Sequence, residues 1–431
     1  MNTFESNCIR KIAQDIGMKK YIIVNSCAIT AESERQVRQK IRQLYKENRG
    51  YRVIITGCSS QIHRDYFFEM KEIDFVISNN LKCKKSAYEK IHEYFQTNYQ
   101  YDIDNSLKRL LQSELFEEDG QTIHKNDINQ FDSYEYLYDF ENRSRAFVPI
   151  QNGCNHFCAF CIVPFTRGTF VSYNPDKIIK QIQIFVDNGY NEVVLTGIDI
   201  TDYGKDIRGK ENIDTLGKLC KAILKNTGVK RLRLSSVDVA EIDNDIIDLV
   251  SSEPRFMPYF HISLQSGSNS VLKRMRRRHT FEDVINFCEK ILKVRPDSAF
   301  GADIITGFPG ETDEEFQKSV DIVKQAPITF VHAFPYSRRE KTLAYLMNDN
   351  VSKRIKKERV KTLIKLGEEN LQKIYIKMSG KIQKCIVEQK FIARCENFVQ
   401  VHLNKEMMNT LSTGSIIEIK PLLKDGKLFY K

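Results

Sequence analysis

Nowhere in its 431 residues does the chain carry a run of about eighteen apolar residues, which excludes a long apolar membrane-spanning helix. The amino terminus, MNTFESNCIRK, lacks the apolar core of a signal peptide, so the cytoplasm is the expected compartment. Without a secretion signal, the 11 cysteines read as reduced thiols, some of them metal ligands, and not as a disulfide framework. Charge is plentiful: 66 Lys+Arg against 56 Asp+Glu give a formal net charge of +10, a modest pointer to a polyanionic partner. A chain this long is expected to form two to four domains with substantial apolar cores.

The densest chemistry lies in residues 146–168, AFVPIQNGCNHFCAFCIVPFTRG. An apolar run leads into a loop with Cys154, Cys158 and Cys161 in C-x-x-x-C-x-x-C spacing, and Gly153 lets the backbone turn sharply before it. Structural zinc takes four protein ligands in paired spacings. A 4Fe–4S cluster can be held by three cysteines, leaving one iron open to a non-protein ligand. The bland alternative is a zinc knuckle with His156 as fourth ligand, but zinc spacings rarely place a ligand two residues from Cys154. The spacing resembles the signature of the radical S-adenosylmethionine (SAM) enzymes. That resemblance implies that the open iron chelates SAM through its amino and carboxylate groups, with Phe160 as the aromatic residue before the last cysteine.

In residues 1–95, short strand-like runs at 21–24, 52–55 and 75–77 alternate with helical patterns. Such alternation makes a parallel sheet with its functional loops past the strands' carboxyl ends. Cys27 and Cys58 follow the first two strands at equivalent places. Either alone reads as a small buried hydrophobe; as a matched pair they are candidate ligands. Asn25-Ser26-Cys27-Ala28-Ile29-Thr30 and Thr56-Gly57-Cys58-Ser59-Ser60-Gln61 resemble the amino-terminal domain of the methylthiotransferases, a branch of the radical SAM enzymes. This implies an auxiliary 4Fe–4S cluster on three cysteines, two of them Cys27 and Cys58. In the family the third lies in a Gly-Cys step ahead of an Asn-x-x-Glu-Ser segment, which here is Asn2-Thr3-Phe4-Glu5-Ser6. Cys8, after that motif on an expected helix, is a poor substitute. The expectation is a start placed too late or an auxiliary cluster short of one ligand.

Residues 96–142 hold 11 acidic and 3 basic residues; Asp102-Ile103-Asp104 and Glu117-Glu118-Asp119-Gly120 read as solvated linker or a loosely attached helix. From 143 to 372, strands and helices alternate about six times, predicting a partial (β/α)6 barrel with its chemistry at the strands' carboxyl ends. Four loops there are informative: Thr196-Gly197-Ile198-Asp199, Ser235-Ser236-Val237-Asp238, Gln265-Ser266-Gly267 and residues 306–312. Each alone is turn chemistry, whereas four on one rim favour a ligand site. The resemblance implies that Gly197 lies on the segment contacting the SAM amino group, with Ser235, Ser236 and Gln265 at other SAM contacts. It also marks DIITGFPGET, residues 303–312, as a rim-shaping run in which Glu311 is expected to cap the next helix. Residues 195–204 and 231–238 resemble the branch acting on threonylcarbamoyl-adenosine in tRNA, not the isopentenyl-adenosine or ribosomal-protein branches.

Arg274, Arg276, Arg277 and Arg278 follow the Gln265 loop and are candidates to meet an RNA backbone; a second basic run, 353–359, is equally a solvated face. Phosphate contacts of this kind add salt-sensitive affinity without reading sequence. Residues 373–431 contain several short strand-like runs, predicting a small β-barrel, and carry 11 basic and 5 acidic residues. The resemblance implies a TRAM domain, the OB-like module that holds tRNA in this family, and the alternative is a barrel used only for packing. Cys385 and Cys395 read as core. The whole implies α/β architecture in four parts: an N-terminal parallel α/β domain (1–95), an acidic linker (96–142), a radical SAM barrel (143–372) and a TRAM domain (373–431).

The activity implied by the resemblance is methylthiolation of carbon 2 of N6-threonylcarbamoyladenosine at position 37, in a tRNA anticodon stem-loop. The cluster on Cys154, Cys158 and Cys161 cleaves SAM to a 5′-deoxyadenosyl radical, sulfur arrives through the auxiliary cluster and a second SAM gives the methyl group. No conventional acid–base pair is required. The alternatives are the same chemistry on isopentenyl-adenosine tRNA or a ribosomal-protein aspartate, and a non-catalytic, metal-containing RNA-binding paralogue.

Overall fold

The computed structural model describes residues 1–97, 105–115, 136–141, 143–209 and 212–430. The chain forms two compact units: residues 1–136 with 152–171 and 337–345, and residues 137–151 with 172–336 and 346–431. These cut across the boundaries drawn at 95, 142 and 372. The cysteine loop groups with the amino-terminal residues because the helix Cys58–Ile62 packs on the helix Val163–Arg167. The carboxyl-terminal sheet groups with the barrel through the buried charges described below.

In the first unit, β1 (Tyr21–Ser26), β2 (Arg52–Gly57) and β3 (Phe75–Val76) form a parallel sheet in the order β1-β2-β3. Val53, Ile55 and Val76 share a core with Ile41, Phe67, Met70 and Ile73. Thr30 starts the helix Ala31–Glu47 with a reciprocal capping box to Ser33. The free edge of β3 is closed by the helix Asn105–Glu114, within the stretch expected to be linker. Gln112 accepts from Val76 N at 2.9 Å and donates to Val76 O at 2.7 Å, pairing with the strand as a neighbouring backbone would. Leu111 and Leu115 are buried beside it. The acidic runs at 102–104 and 117–120 lie outside the described residues.

In the second unit, β4 (Ala146–Pro149), β5 (Glu192–Thr196) and β6 (Arg231–Leu234) are parallel neighbours. So are β7 (Ser236–Val237), β8 (Tyr259–Gln265), β9 (Ala299–Thr306) and β10 (Ile328–Pro335), and Leu232 bridges to Phe256 just ahead of β8. Strands follow one another in chain order, and apart from β7, which follows β6 after Ser235 alone, each is reached through a helical crossover, which is the partial barrel. Phe260 and Phe300 pack against Phe287 of the helix Phe281–Val294. Since side chains alternate along a strand, Tyr259, His261, Gly301 and Asp303 face the other, inner side.

The carboxyl-terminal sheet comprises β11 (Gln383–Glu388), β12 (Ile392–Cys395), β13 (Gln400–Leu403), β14 (Ile416–Ile419), β15 (Leu422–Lys424) and β16 (Lys427–Tyr430), in the order β14-β11-β12-β13-β16-β15. Its core includes Cys385, Val387, Val401 and Leu428, and the Sγ atoms of Cys385 and Cys395 face each other across paired strands at 3.2 Å.

This sheet docks on the amino-terminal ends of the barrel strands. Glu192, the first residue of β5, is fully buried, 2.9 Å from Arg233 Nε, 3.4 Å from Arg231 Nη1 and 3.7 Å from Arg145 Nη1. Burial alone would raise its carboxyl pKa, but the three guanidiniums outweigh that and hold it below the usual range. The same arginines grip the sheet: Arg231 donates to the carbonyls of Arg394 and Lys384, and Arg233 to that of Glu396. Phe398 stacks on Tyr259 with centroids 4.4 Å apart, and the guanidiniums of Arg145, Arg233 and Arg394 lie over its ring. The Arg231-Leu232-Arg233-Leu234 run, informative in sequence, is therefore used in a structural lock. No helix among the described residues is long and apolar enough to cross a membrane.

Candidate metal centre and cofactor loops

Exposure sorts the 11 cysteines into two groups. Cys8, Cys83, Cys220, Cys288, Cys385 and Cys395 are buried, while Cys27, Cys58, Cys154, Cys158 and Cys161 are partly open. Burial pushes the thiols of Cys8, Cys220 and Cys288 upward, away from the thiolate form a metal needs. The five open cysteines are those whose spacing or position singled them out.

The loop bearing Cys154, Cys158 and Cys161 is bent by left-handed residues, Gly153 (φ 68°) and Phe157 (φ 46°). It closes through Cys154 N–H to Gly168 O at 3.2 Å and Cys161 N–H to Cys158 O at 2.9 Å. His156 N–H points at Cys154 Sγ at 3.4 Å, the kind of backbone donor that stabilises a cluster-bound sulfur. Phe160 is partly exposed on this loop. Three partly open thiols on one turn, with an amide aimed at a sulfur, fit a three-cysteine cluster.

Cys27 and Cys58 leave β1 and β2 at matched positions, because Ser26 pairs with Gly57 in the parallel register. Gly57 has φ 101°, and a Cβ there would lie 2.4 Å from Ser26 O, so only glycine brings the strand ends this close. Ser26 Oγ ties both loops, donating to Thr56 O and accepting from the N–H groups of Ser59 and Ser60. Asn79 lies past β3: its Nδ2 is 3.9 Å from Cys58 Sγ and donates to Thr166 O at 2.5 Å, while Gln61 Oε1 holds its backbone N–H. One side chain thus links the second cysteine pair to the helix that follows the first cysteine loop.

Beneath these loops Glu5 is buried as a hub, accepting from Arg167 at 2.7 Å and lying 2.8 Å from Lys82 Nζ. Arg167 also reaches Asn2 Oδ1 and Asn152 Oδ1, and Asn25 Nδ2 approaches Glu5 Oε2 and Ser6 Oγ. The Asn2-Thr3-Phe4-Glu5-Ser6 motif therefore joins both cysteine loops through side chains. Burial would raise the Glu5 carboxyl, but Arg167 and Lys82 overcome it and hold the group well below its ordinary value of 4.5. Glu5→Gln leaves two cations uncompensated in the interior and is expected to cost roughly 3–5 kcal/mol, read as a lower denaturation midpoint of the wild-type-like transition. With the folded pKa depressed, the contribution is complete above 4.5 and disappears as pH falls below it, so acid should narrow the gap between wild type and variant.

At the barrel rim, Gln151 Oε1 accepts from the N–H groups of Ile198 and Asp199, both at 2.9 Å, and so shapes the Gly197 loop. A Cβ on Gly197 would sit 2.8 Å from Ile200 Cγ2 and 2.9 Å from Gln151 Oε1. Ser235 hydrogen-bonds back to Leu195 O and is partly exposed; Ser236 is exposed. Gln265 ends β8 at a register shift with φ 66°. Glu311 does not cap the next helix: Thr312 does, in a capping box with Glu315. Glu311 turns inward instead, accepting from Gly307 N–H at 2.6 Å and from Arg359, and burial pushes its carboxyl up.

The four arginines after the Gln265 loop have different surroundings. Arg274 forms a two-pronged pair with Glu315, Arg277 donates to Asp238 and Ser263 O, and Arg278 pairs with Glu241. Burial would raise the Asp238 carboxyl, but His279 and Arg277 bring it down to about 2. Arg276 stands exposed, with φ 59°. In the later run, Lys356 and Arg359 are buried against Asp349, Glu311 and Asp313 and are not part of a solvated face. Sequence reasoning missed Asn79, Gln151 and Gln112, whose roles lie in contacts far along the chain.

Comparison with known proteins adds three findings. The profile of the radical SAM superfamily matches residues 148–323, and that of the uncharacterized protein family UPF0004 matches residues 1–78. The chain is 38% identical to the threonylcarbamoyladenosine tRNA methylthiotransferase MtaB of Rickettsia prowazekii, covering 94% of this chain and 89% of that one, and 34% identical to MtaB of Aquifex aeolicus, covering 93% of each. It is 32% identical, over 84% of its length and 80% of the relative's, to the tRNA-2-methylthio-N(6)-dimethylallyladenosine synthase of Petrotoga mobilis. Among solved structures, a radical S-adenosylmethionine methyltransferase from Kitasatospora setae shares the fold, with TM-score 0.55 and 12% identity over 78% of this chain and 65% of that one.

Proposed function

Because the chain belongs to the radical SAM tRNA methylthiotransferases, enzymes that transfer methylthio groups, we propose that it methylthiolates carbon 2 of N6-threonylcarbamoyladenosine at position 37 of tRNA. The substrate follows the names of the relatives with the higher identities, and the dimethylallyladenosine synthase is matched at lower identity. The observation that carries the reading is that the two open cysteine sets lie in one compact unit, linked by Asn79 from Cys58 to the helix after Cys161.

Cys154, Cys158 and Cys161 hold the cluster that binds SAM; Cys27 and Cys58 supply two ligands of an auxiliary 4Fe–4S cluster. When bound, the clusters and two SAM molecules supply a 5′-deoxyadenosyl radical, the sulfur and the methyl group. The chain's own residues orient and shield. His156 N–H holds the Cys154 sulfur, and Gln151 fixes the Gly197 loop on which the SAM amino group is expected. Phe160, Ser235, Ser236 and Gln265 complete the proposed SAM contacts. Residues 1–95 serve the auxiliary site, 143–372 the radical chemistry and 373–431 the tRNA, whose anticodon stem-loop also meets Arg276. The site of action is the cytoplasm, where tRNA is modified.

Nucleoside mass spectrometry of tRNA from cells lacking the gene tests the substrate. The proposal predicts loss of 2-methylthio-N6-threonylcarbamoyladenosine with accumulation of its unthiolated parent. Loss of the isopentenyl derivative instead assigns the other branch.

A further inference from the structure

On the inner face of the barrel, three neighbouring strands bring His261, Asp303 and His332 together, and none of these residues belongs to the cofactor loops. His261 Nε2 lies 3.0 Å from Asp303 Oδ1 and His332 Nδ1 3.5 Å from the same oxygen, with ring centroids 4.9 Å apart. We propose that the imidazole of His332, held on Asp303 beside His261, receives the carboxylate of the amino-acid substituent on the substrate base. The inference rests on the threonylcarbamoyladenosine reading above and gives that reading its specificity contact.

The layer is built to present charge. Tyr259 Oη is 3.1 Å from His261 Nδ1; with Tyr259 as donor, His261 Nε2 carries the proton that Asp303 accepts. Both imidazoles then spend their Asp303-facing nitrogen as a donor on one oxygen, so their lone pairs do not converge on a cation. His332 retains Nε2, and its side chain is 64% exposed, against 29% for Asp303 and 12% for His261. The hydrogen bond to Asp303 raises the His332 pKa and so favours the imidazolium. Burial would raise the Asp303 carboxyl, but the two imidazoles bring it down to about 2. Gly301, paired with His261 on the neighbouring strand, makes room for this Tyr259–His261 contact: a Cβ there would fall 2.3 Å from Tyr259 Oη and 2.5 Å from His261 Nδ1. On the side of the strands' amino ends, Phe398 stacks on Tyr259; at their carboxyl ends lies Gln265. The cluster is thus a polar layer between a closed end and the rim.

A threonylcarbamoyl group offers a carboxylate to this layer; an unmodified or prenylated adenine offers none and forgoes the charged hydrogen bond to His332. Backbone phosphates share the charge, so the test uses RNAs with identical phosphates. Binding of the reconstituted holoenzyme is measured for two anticodon stem-loops that differ only in carrying threonylcarbamoyladenosine or adenosine at position 37. Wild type is expected to prefer the modified RNA about tenfold, the worth of one charged hydrogen bond. His332→Phe should bring the ratio near one by weakening the modified RNA alone. His332→Gln, which keeps the polar shape without the charge, should also lower the ratio, and His332→Arg should restore a preference. An unchanged ratio in the Phe and Gln variants, or no preference in wild type, overturns the inference. The methylthiolation reading is judged separately by the nucleosides.

Discussion

Cys158→Ala removes tRNA methylthiolation to background, a loss of more than about a thousandfold, or roughly 4 kcal/mol in transition-state terms. The size follows from the loop. Cys154, Cys158 and Cys161 lie on a single turn set by Gly153 and Phe157, and a cluster held by three thiolates has no spare ligand. The remaining cysteines of the barrel, Cys220 and Cys288, are buried with thiols pushed upward, so neither can substitute. Iron content, 5′-deoxyadenosine release and the modified nucleoside should fall together in Cys158→Ala. Cys220→Ala should keep all three and lose only packing stability. A Cys158→Ala protein that still modifies tRNA would remove this loop from the chemistry.

Glu192→Ala is expected to destabilise the second unit by roughly 3–5 kcal/mol, a large share of the 5–15 kcal/mol typical of a folded domain. One carboxylate at the base of β5 compensates Arg145, Arg231 and Arg233, and two of these arginines also hold backbone carbonyls of the carboxyl-terminal sheet. Removing it takes the nearest carboxylate from the buried Arg231 and Arg233, while Arg145 keeps Glu388 at 2.9 Å. Thermal denaturation should show a clear drop in midpoint, and hydrogen exchange should rise first in β11 and β12. The surface pair of Lys384 with Glu418 provides the contrast, since breaking an exposed pair is worth about 1 kcal/mol or less. A Glu192→Ala midpoint within error of Lys384→Ala would mean the lock does not hold the sheet.

The alternation of apolar runs made the barrel legible, and unbroken C-x-x-x-C-x-x-C spacing made the cluster loop legible, because both signals are local. Three kinds of feature were not. Short strands such as Ile392–Cys395 and Leu422–Lys424 contain too few residues to display a period. Side chains acting at a distance carry no spacing signal: Gln112 pairs with Val76, Asn79 with Thr166 and Glu5 with Arg167, each across a long stretch of chain. Charge was legible only as a count. Four clustered arginines read as an RNA face, yet Arg274, Arg277 and Arg278 have carboxylates opposite them that lie 37 to 41 residues away in sequence. The His261–Asp303–His332 layer belongs to the same class, invisible until three strands align.

The most direct measurement of the central claim uses the anaerobically reconstituted full chain with SAM, a reductant, a sulfur source and a stem-loop carrying threonylcarbamoyladenosine. Mass spectrometry of the digested RNA should show a methylthio group on the adenine ring, with 5′-deoxyadenosine and S-adenosylhomocysteine formed alongside it. A colourless, zinc-loaded protein that leaves both SAM and the nucleoside unaltered would contradict the account.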